Sequence, residues 1–318
     1  MESPSLSLAR EIAAAFAGKR IAKIARFETG LCHFVYDIST EGGQRFVIRI
    51  AHPANERLLK GSQYWLPLLA NAGVPVARIL HADLDKRLFP FAYLILERLD
   101  GQDLGEVYPG LSGAAKRRLA ERIAEIQLVV GRLPEGREYG DSVGYDSSGG
   151  HDSWYAMIMD LISRCKHRVT ESSVLRLNDV TILEAAAIKL AALFDRVAPR
   201  AFLDDATTKN VIVSGEGLLS GIVDTDMVCF GDHLFTLALT KAAFAKSGFD
   251  TMYTDTWTGI LELDEESELR LSFYTALFAA VILSEQGQKF NQDEKVVFER
   301  SGILRLRRLL EQEAAKVG

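Results

Sequence analysis

The stretch LDDATTKNVIVSGEGLLSGIVDTD, residues 203 to 226, combines polar side chains with two short apolar runs. The turn SGEG lies between the runs and predicts a β-hairpin. Asn210 precedes the first strand and Asp224 follows the second, so both lie at the open end of the hairpin, which Asp205 can also reach. Two carboxylates and an amide oxygen at one point suit Mg²⁺ that bridges nucleotide phosphates. The stretch therefore predicts a metal and phosphate site, with an ordinary polar turn as the alternative.

Composition and charge narrow the class of protein. Of the 318 residues 48% are hydrophobic and 25% are charged, which predicts a folded globular chain of two lobes or one large domain. The net charge of -6 comes with no basic stripe or tail. We therefore expect neither a nucleic-acid partner nor an anionic membrane partner.

Cysteine usage and apolar runs indicate the compartment. Cys32, Cys165 and Cys229 are odd in number and far apart, which predicts free thiols and no structural zinc. The N-terminus resembles a capped amphipathic helix, and the apolar run at 273 to 284 is shorter than the roughly 20 residues of a membrane helix. We expect a cytoplasmic protein.

The periodicity of the chain changes near residue 99. Before it, the sequence predicts a first helix, three β-rich runs, a helix that Pro67 kinks or divides, and two more strands. After it, the pattern is mostly helical, with predicted helices at 113–133, 154–169, 180–196, 234–247, 264–287 and 291–316. The prediction is an α+β, bilobal fold with a β-rich lobe at 1–99, mostly antiparallel with one inserted helix, and a larger helical lobe at 100–318.

The polar stretch and its continuation, GLLSGIVDTDMVCFGD, resemble the catalytic and metal-binding segment of the aminoglycoside phosphotransferase and choline kinase-like family. Its usual form is HGDxxxxN, a hairpin, IDW and then GD. The resemblance implies the protein-kinase-like fold and transfer of the γ-phosphate of Mg-ATP or Mg-GTP to a hydroxyl of a small molecule. An aminoglycoside, a choline-like amine, a sugar and an amino-alcohol remain open as acceptors.

The resemblance also implies roles for individual residues. Asp205 matches the catalytic aspartate, and Asn210 and Asp224 match the two Mg²⁺ ligands. Asp232, in FGD, matches an aspartate that supports the loop.

Further matches lie in the N-terminal lobe. Gly30 matches the strand pair that covers the phosphates, and Arg49 occupies the position of a lysine that contacts them. The backbone from Glu97 to Leu99 matches the hinge that contacts the base. If positive charge alone matters, Arg49→Lys retains much of the function.

Two departures from the family pattern stand out. Leu203 and Asp204 replace His-Gly before the catalytic aspartate, so support of this loop must differ. This departure and the missing helix acid described next motivate the alternative of a nucleotide-binding pseudokinase. A protein kinase is less favoured, because no APE-like signature follows Asp224.

The second departure concerns the acidic partner of Arg49. In the predicted helix at 56–70 the aligned positions carry Gly61, Ser62 and Gln63. Glu56 lies about a turn and a half too early. We expect that Gln63 or Glu56 substitutes, or that the ion pair is absent.

Acceptor-binding candidates follow the glycine-rich loop at 134–153. His151 and Trp154 lie where family members bind the acceptor, although a tryptophan that opens a helix is more often in the core. Acidic side chains of the late helices are further candidates to bind a cationic acceptor, with ordinary solvated helix faces as the alternative. They are Asp264, Glu265, Glu266 and Glu285.

Overall fold

The computed structural model describes residues 4–27, 33–169, 174–289 and 295–318, so Gly30 and Cys32 lie outside the described residues. The strands are β1 (Ile21–Phe27), β2 (His33–Thr40), β3 (Arg45–Ala51), β4 (Ile79–Asp83), β5 (Tyr93–Glu97), β6 (Gln102–Asp103), β7 (Gly140–Ser142), β8 (Arg200–Phe202), β9 (Val211–Val213), β10 (Leu219–Ile222) and β11 (Val228–Gly231). The helices are α1 (Leu6–Ala17), α2 (Glu56–Asn71), α3 (Leu104–Val107), α4 (Gly113–Val130), α5 (Trp154–Val169), α6 (Leu177–Lys189), α7 (Ala191–Phe194), α8 (Leu234–Ser247), α9 (Met252–Ile260), α10 (Glu265–Glu285) and α11 (Arg300–Val317).

The N-terminal region is a five-stranded sheet in the order β1-β2-β3-β5-β4, and every neighbouring pair is antiparallel. Helix α1 begins where the Ser5 hydroxyl accepts a hydrogen bond from the Leu8 amide. Its apolar side packs on one face of the sheet, beside Phe46 and Ile48. The predicted sheet with one inserted helix, α2, is confirmed, and so is the α+β fold class.

Helix α2 remains a single helix although Pro67 lies inside it. A proline at this position donates no hydrogen bond to the carbonyl four residues earlier. The helix keeps its course because Leu59, Trp65 and Leu69 are buried against the rest of the core. Pro67 therefore does not divide the helix.

The predicted hairpin is present as β9 and β10, and β6 adds a third strand in the order β10-β9-β6. The hairpin also touches the N-terminal region, because the Ile222 amide donates to the Pro75 carbonyl at 2.8 Å. This contact holds the end of the hairpin beside the segment that joins α2 to β4.

A second small sheet, in the order β7-β11-β8, was not predicted. Its strands have three or four residues each, and they come from segments far apart in the chain. Such short runs carry too little periodicity to be recognised. Helix α9 was also missed, and the last helix begins at Arg300 rather than at residue 291.

Helix α10 runs through the C-terminal core and packs against α8 and α11. By length and composition alone it could cross a membrane, but 67% of its apolar window is buried inside the protein. A buried core helix passes the same test, so this helix is weak evidence for a membrane span.

The main hydrophobic core extends across both regions of the chain. It joins Trp65 and Leu94 of the N-terminal region to Trp154 and Phe235 of the helical region. The boundary at residue 99 therefore separates two patterns of secondary structure, and as a domain boundary it stays a prediction.

Candidate phosphate and metal site

The loop between β8 and β9 holds Asp205 against Asn210. The Asn210 amide nitrogen donates to a carboxylate oxygen of Asp205 and to its backbone carbonyl, each at 2.9 Å. The Thr207 hydroxyl donates to the other carboxylate oxygen at 2.9 Å. Because the amide nitrogen is used within the loop, the Asn210 amide oxygen is the atom left to bind a cation.

Gln127 and Thr236 support this loop where the family pattern has histidine. The Gln127 side chain bonds both backbone groups of Leu203, accepting from its amide at 3.0 Å and donating to its carbonyl at 2.8 Å. The Thr236 hydroxyl donates to the same carbonyl at 2.6 Å. Leu203 itself is buried in the core. A different set of side chains thus holds the loop in place.

Asp224 follows the hairpin in an unusual backbone conformation. Its φ of 62° lies in the left-handed region, which Asp and Asn tolerate better than most residues. One carboxylate oxygen accepts from the Arg49 guanidinium at 2.5 Å, while the side chain is half exposed. The strained turn directs this carboxylate into the same space as the Asp205 loop.

Arg49 reaches that space from strand β3 and is itself buried. Its main partner is Asp226, which accepts two guanidinium bonds of 2.7 and 2.8 Å. The expected alternatives were wrong: Glu56 pairs with Lys86 at 2.7 Å, and Gln63 is exposed on α2. The ion pair is present, with its acid supplied by the loop after the hairpin.

Helix α2 contributes to the pair by lying very close to that loop. Ser62 donates a hydrogen bond to Asp226. The neighbouring Gly61 faces the Asp226 carbonyl oxygen, which would clash with any added Cβ. The small residues at these aligned positions therefore let the helix and the loop meet.

We expect Gly61→Ala to lower stability by about 1 to 3 kcal/mol, the usual cost of overpacking, and to weaken nucleotide binding because the loop must move. Gly259→Ala is the matched control: it is also a helical glycine, but no atom lies near its added Cβ. That change should be neutral or stabilising by up to about 1 kcal/mol. Denaturant unfolding of both variants tests the difference, and equal stability would contradict the close approach.

The carboxylates of the site have different proton affinities. Asp205 is exposed to the cleft, yet the surrounding protein removes enough water to raise its pKa to about 6, and nearby Asp224 raises it further while Thr207 opposes the rise. Burial also acts to raise the pKa of Asp226, but Arg49 and the hydrogen bonds from His33 and Ser62 hold it at about 2. Asp205 thus holds its proton more readily than Asp226, which is neutralised by Arg49.

A divalent cation fits this donor set. Asn210 and Asp224 offer hard oxygens beside Asp205, and the repulsion between the two carboxylates would be relieved by a cation. Within the part of the chain that the structure describes, no group of three His, Cys, Asp or Glu side chains could hold a metal. Asn210 and Asp224 would supply only part of the coordination of such a cation.

The predicted hinge lies at the end of β5. The Glu97 amide donates to the Arg78 carbonyl at 2.9 Å, and its carboxylate pairs with the Arg78 side chain. The Leu99 carbonyl accepts a bond from the Arg98 side chain. Base contacts by this backbone stay a prediction.

Asp232 is buried at the start of helix α8. It accepts from the Leu234 amide at 3.1 Å, from Arg270 at 2.8 Å and from the Tyr274 hydroxyl at 3.1 Å. These bonds tie the segment after β11 to helix α10.

Trp154 does not line a binding site. It is fully buried, and its indole nitrogen donates to the Tyr274 hydroxyl at 2.7 Å. Phe235 packs edge-on against it. Acceptor binding by Trp154 was therefore a wrong prediction, because the first residue of α5 points into the core.

A cavity of about 340 Å³ lies beside the loop that carries Asp204 and Asp205, and His151 lines it. Asp141 and Asp204 line it too. Burial raises the pKa of both, and their mutual repulsion raises that of Asp204 further. Asp141 could not be identified from the sequence, because it lies in the unpredicted strand β7.

The acids of the late helices divide into two groups. Asp264 caps α10 by accepting from the Ser267 amide, and Glu266 pairs with Arg196 on the surface. Glu285 is close enough to Asp205 for the two charges to interact. Glu265 is exposed at the start of α10. Of the four acids, Glu285 is the one whose charge interacts with Asp205.

The fold is protein-kinase-like, and the site brings Asp205, Asn210 and Asp224 together as the sequence predicts. A family model described as the phosphotransferase enzyme family matches residues 23–270. The chain belongs to this family. No curated protein sequence matches the chain.

Solved structures with the same fold cover nearly the whole chain. The GDP complex of wild-type aminoglycoside 2'-phosphotransferase-IIIa has a TM-score of 0.65 at 16% identity, over 99% of each chain. A mutant of APH(4)-Ia with ADP and hygromycin B has a TM-score of 0.61 at 16% identity, over 97% of this chain and 94% of that one. A putative fructosamine-3-kinase from Thermobifida fusca has a TM-score of 0.61 at 15% identity, over 98% of this chain and 99% of that one.

Proposed function

We propose that this protein transfers the γ-phosphate of Mg-ATP or Mg-GTP to a hydroxyl of a small molecule. The observation that carries the proposal is the bonded pair of Asp205 and Asn210 facing Asp224, with the Arg49 guanidinium beside it. Family membership supports the reaction class. Nucleotide complexes of proteins with the same fold are consistent with the donor.

Each residue of the site has a role in this reaction. Asp205 orients the acceptor hydroxyl and accepts its proton, for which a pKa of about 6 is well matched near neutral pH. Asn210 and Asp224 hold Mg²⁺, which when bound neutralises charge on the phosphates. Arg49 binds a phosphate oxygen through its guanidinium. Asp232 supports the loop behind the site.

The cavity beside Asp204 is the proposed acceptor site. Its acids, Asp141 and Asp204, favour an acceptor that carries an amine, such as an aminoglycoside or an amino-alcohol. His151 lines the same cavity and could hydrogen-bond a hydroxyl of the acceptor. Hygromycin B, an aminoglycoside, is bound in one protein of the same fold. Neither a nucleic acid nor a membrane has a place in this function, and we propose a cytoplasmic enzyme.

Thermal shift provides the first test. Mg²⁺ with ATP or GTP should raise Tm. At a ligand concentration 100 times Kd the free energy of unfolding increases by about 2.7 kcal/mol. The nucleotide alone should do much less, because the carboxylates repel the phosphates until a cation is present. The absence of any shift with either nucleotide would rule out both an active kinase and a pseudokinase.

An acceptor screen then separates an enzyme from a binder. Radiolabelled transfer from the nucleotide that binds is measured with amino-alcohols, aminoglycosides and their neutral hydroxyl analogues. We expect transfer to amine-bearing acceptors. Nucleotide binding without transfer to any acceptor would favour the pseudokinase, and preference for neutral analogues would contradict the role of the acidic cavity.

A further inference from the structure

Asp226 has both carboxylate oxygens occupied by hydrogen-bond donors. One oxygen accepts from Arg49 at 2.7 Å and from the Ser62 hydroxyl. The other accepts from Arg49 and from His33, each at 2.8 Å. A carboxylate offers about four acceptor positions. All of them are used, so Asp226 has no lone pair left for a metal ion in the cleft.

The guanidinium of Arg49 is equally constrained. One terminal nitrogen bonds Asp226 and, at 3.4 Å, Ser62. The other bonds Asp226 and Asp224. Of these partners Asp226 and Ser62 are buried, whereas Asp224 is half exposed to the cleft. The bond to Asp224 is therefore the one that can be exchanged without exposing the buried pair.

We propose that Asp226 is the positioning residue of Arg49 and that Arg49 exchanges Asp224 for a phosphate oxygen when Mg-nucleotide binds. The bidentate pair fixes the plane of the guanidinium, and one N–H of the outer nitrogen remains directed into the cleft. In the free protein this N–H supplies the counter-charge of Asp224. When a bound cation would neutralise Asp224 instead, this N–H is free to bind the nucleotide. This inference rests on the proposed function.

The network also joins the two sides of the cleft. Arg49 and His33 come from neighbouring strands of the five-stranded sheet, and Ser62 comes from α2. Asp226 comes from the loop that follows the metal-binding residue. One carboxylate thus fixes the sheet, the helix and the metal loop relative to each other, which a separate helix acid would not do.

The test compares Asp226→Asn with Asp85→Asn, an exposed acid that pairs with Arg87 on the surface. Affinity for a fluorescent ADP analogue is measured with and without Mg²⁺, and affinity for Mn²⁺ alone is measured by electron paramagnetic resonance. We expect Asp226→Asn to weaken Mg-nucleotide binding at least tenfold and to leave Mn²⁺ affinity unchanged. Metal-free nucleotide binding should change little, because Asp224 still holds Arg49 when no cation is bound. Asp85→Asn should have no effect.

A double-mutant cycle separates positioning from a general structural role. Arg49→Lys keeps the charge but loses the bidentate pair, so it should weaken nucleotide binding as Asp226→Asn does. The double variant should be no worse than the weaker-binding single variant, because both changes break the same pair. Independent structural damage would instead multiply the two effects. Equal binding by Arg49→Lys and the unaltered protein would show that charge alone is sufficient.

If Asp226→Asn does not fold, Ser62→Ala takes its place in the affinity measurements. It removes one donor from the same carboxylate, and we expect a two- to fivefold loss of nucleotide affinity in a folded protein. Mg-nucleotide binding unchanged within twofold in the folded variants would overturn the proposal. So would an Asp226→Asn protein that loses only Mn²⁺ binding, since that identifies a metal ligand. Failure of the unaltered protein to bind nucleotide would instead count against the proposed function.

Discussion

Asp205→Asn should lower acceptor phosphorylation by about 10² or more, while nucleotide affinity stays nearly intact. The amide cannot accept the proton of the attacking hydroxyl. It can still accept a hydrogen bond from Thr207 or Asn210, so the loop should keep its shape. Steady-state phosphorylation rates and nucleotide titration of the same preparation measure the two quantities separately.

Asp204→Asn is the neighbouring control. Asp204 occupies the position of the family's glycine and lines the acceptor cavity, so its replacement should have a milder effect, mainly a raised KM for an amine-bearing acceptor. A fully active Asp205→Asn with an inactive Asp204→Asn would show that the alignment is off by one residue. Full activity of both would show that the proposed mechanism is wrong.

Asp224→Asn should weaken Mg-nucleotide binding and turnover together, each by about tenfold or more, because one negative charge that compensates Mg²⁺ is removed. Asparagine tolerates the positive φ of this position, so the turn itself should remain. Calorimetric titration with Mg-ATP or Mg-GTP and the kcat of acceptor phosphorylation test this expectation.

Replacing a direct metal ligand should weaken nucleotide binding only when the metal is present. Nucleotide binding in the absence of metal should change little in Asp224→Asn or even improve, because Arg49 loses its charged partner in the cleft. A loss of kcat with unchanged Mg-nucleotide affinity would instead place Asp224 outside the metal site.

Local sequence patterns predicted the elements with strong periodicity or turn chemistry. The hairpin could be recognised from two apolar runs around SGEG, and its ends placed Asn210 and Asp224 together. Three β-rich runs, a helix and two more strands predicted the five-stranded sheet. These features depend on residues near each other in the chain, where spacing alone constrains geometry.

The acid that pairs with Arg49 could not be predicted from neighbouring residues. Its acid lies 177 residues away in the chain, in the loop after the hairpin rather than in helix α2. The sequence did contain a signal, because Asp226 follows Asp224 by two residues in DTD. That signal could be interpreted only with the knowledge that Arg49 is buried, since a buried cation requires a buried acid.

The sequence by itself determined the fold class, the hairpin and the polar set of Asp205, Asn210 and Asp224. Tertiary structure alone decided that Trp154 belongs to the core and that Asp141 lines a cavity, because burial depends on which distant segments pack together. It also decided which carboxylate pairs with Arg49, since the close approach of α2 brings Asp226 to that side chain.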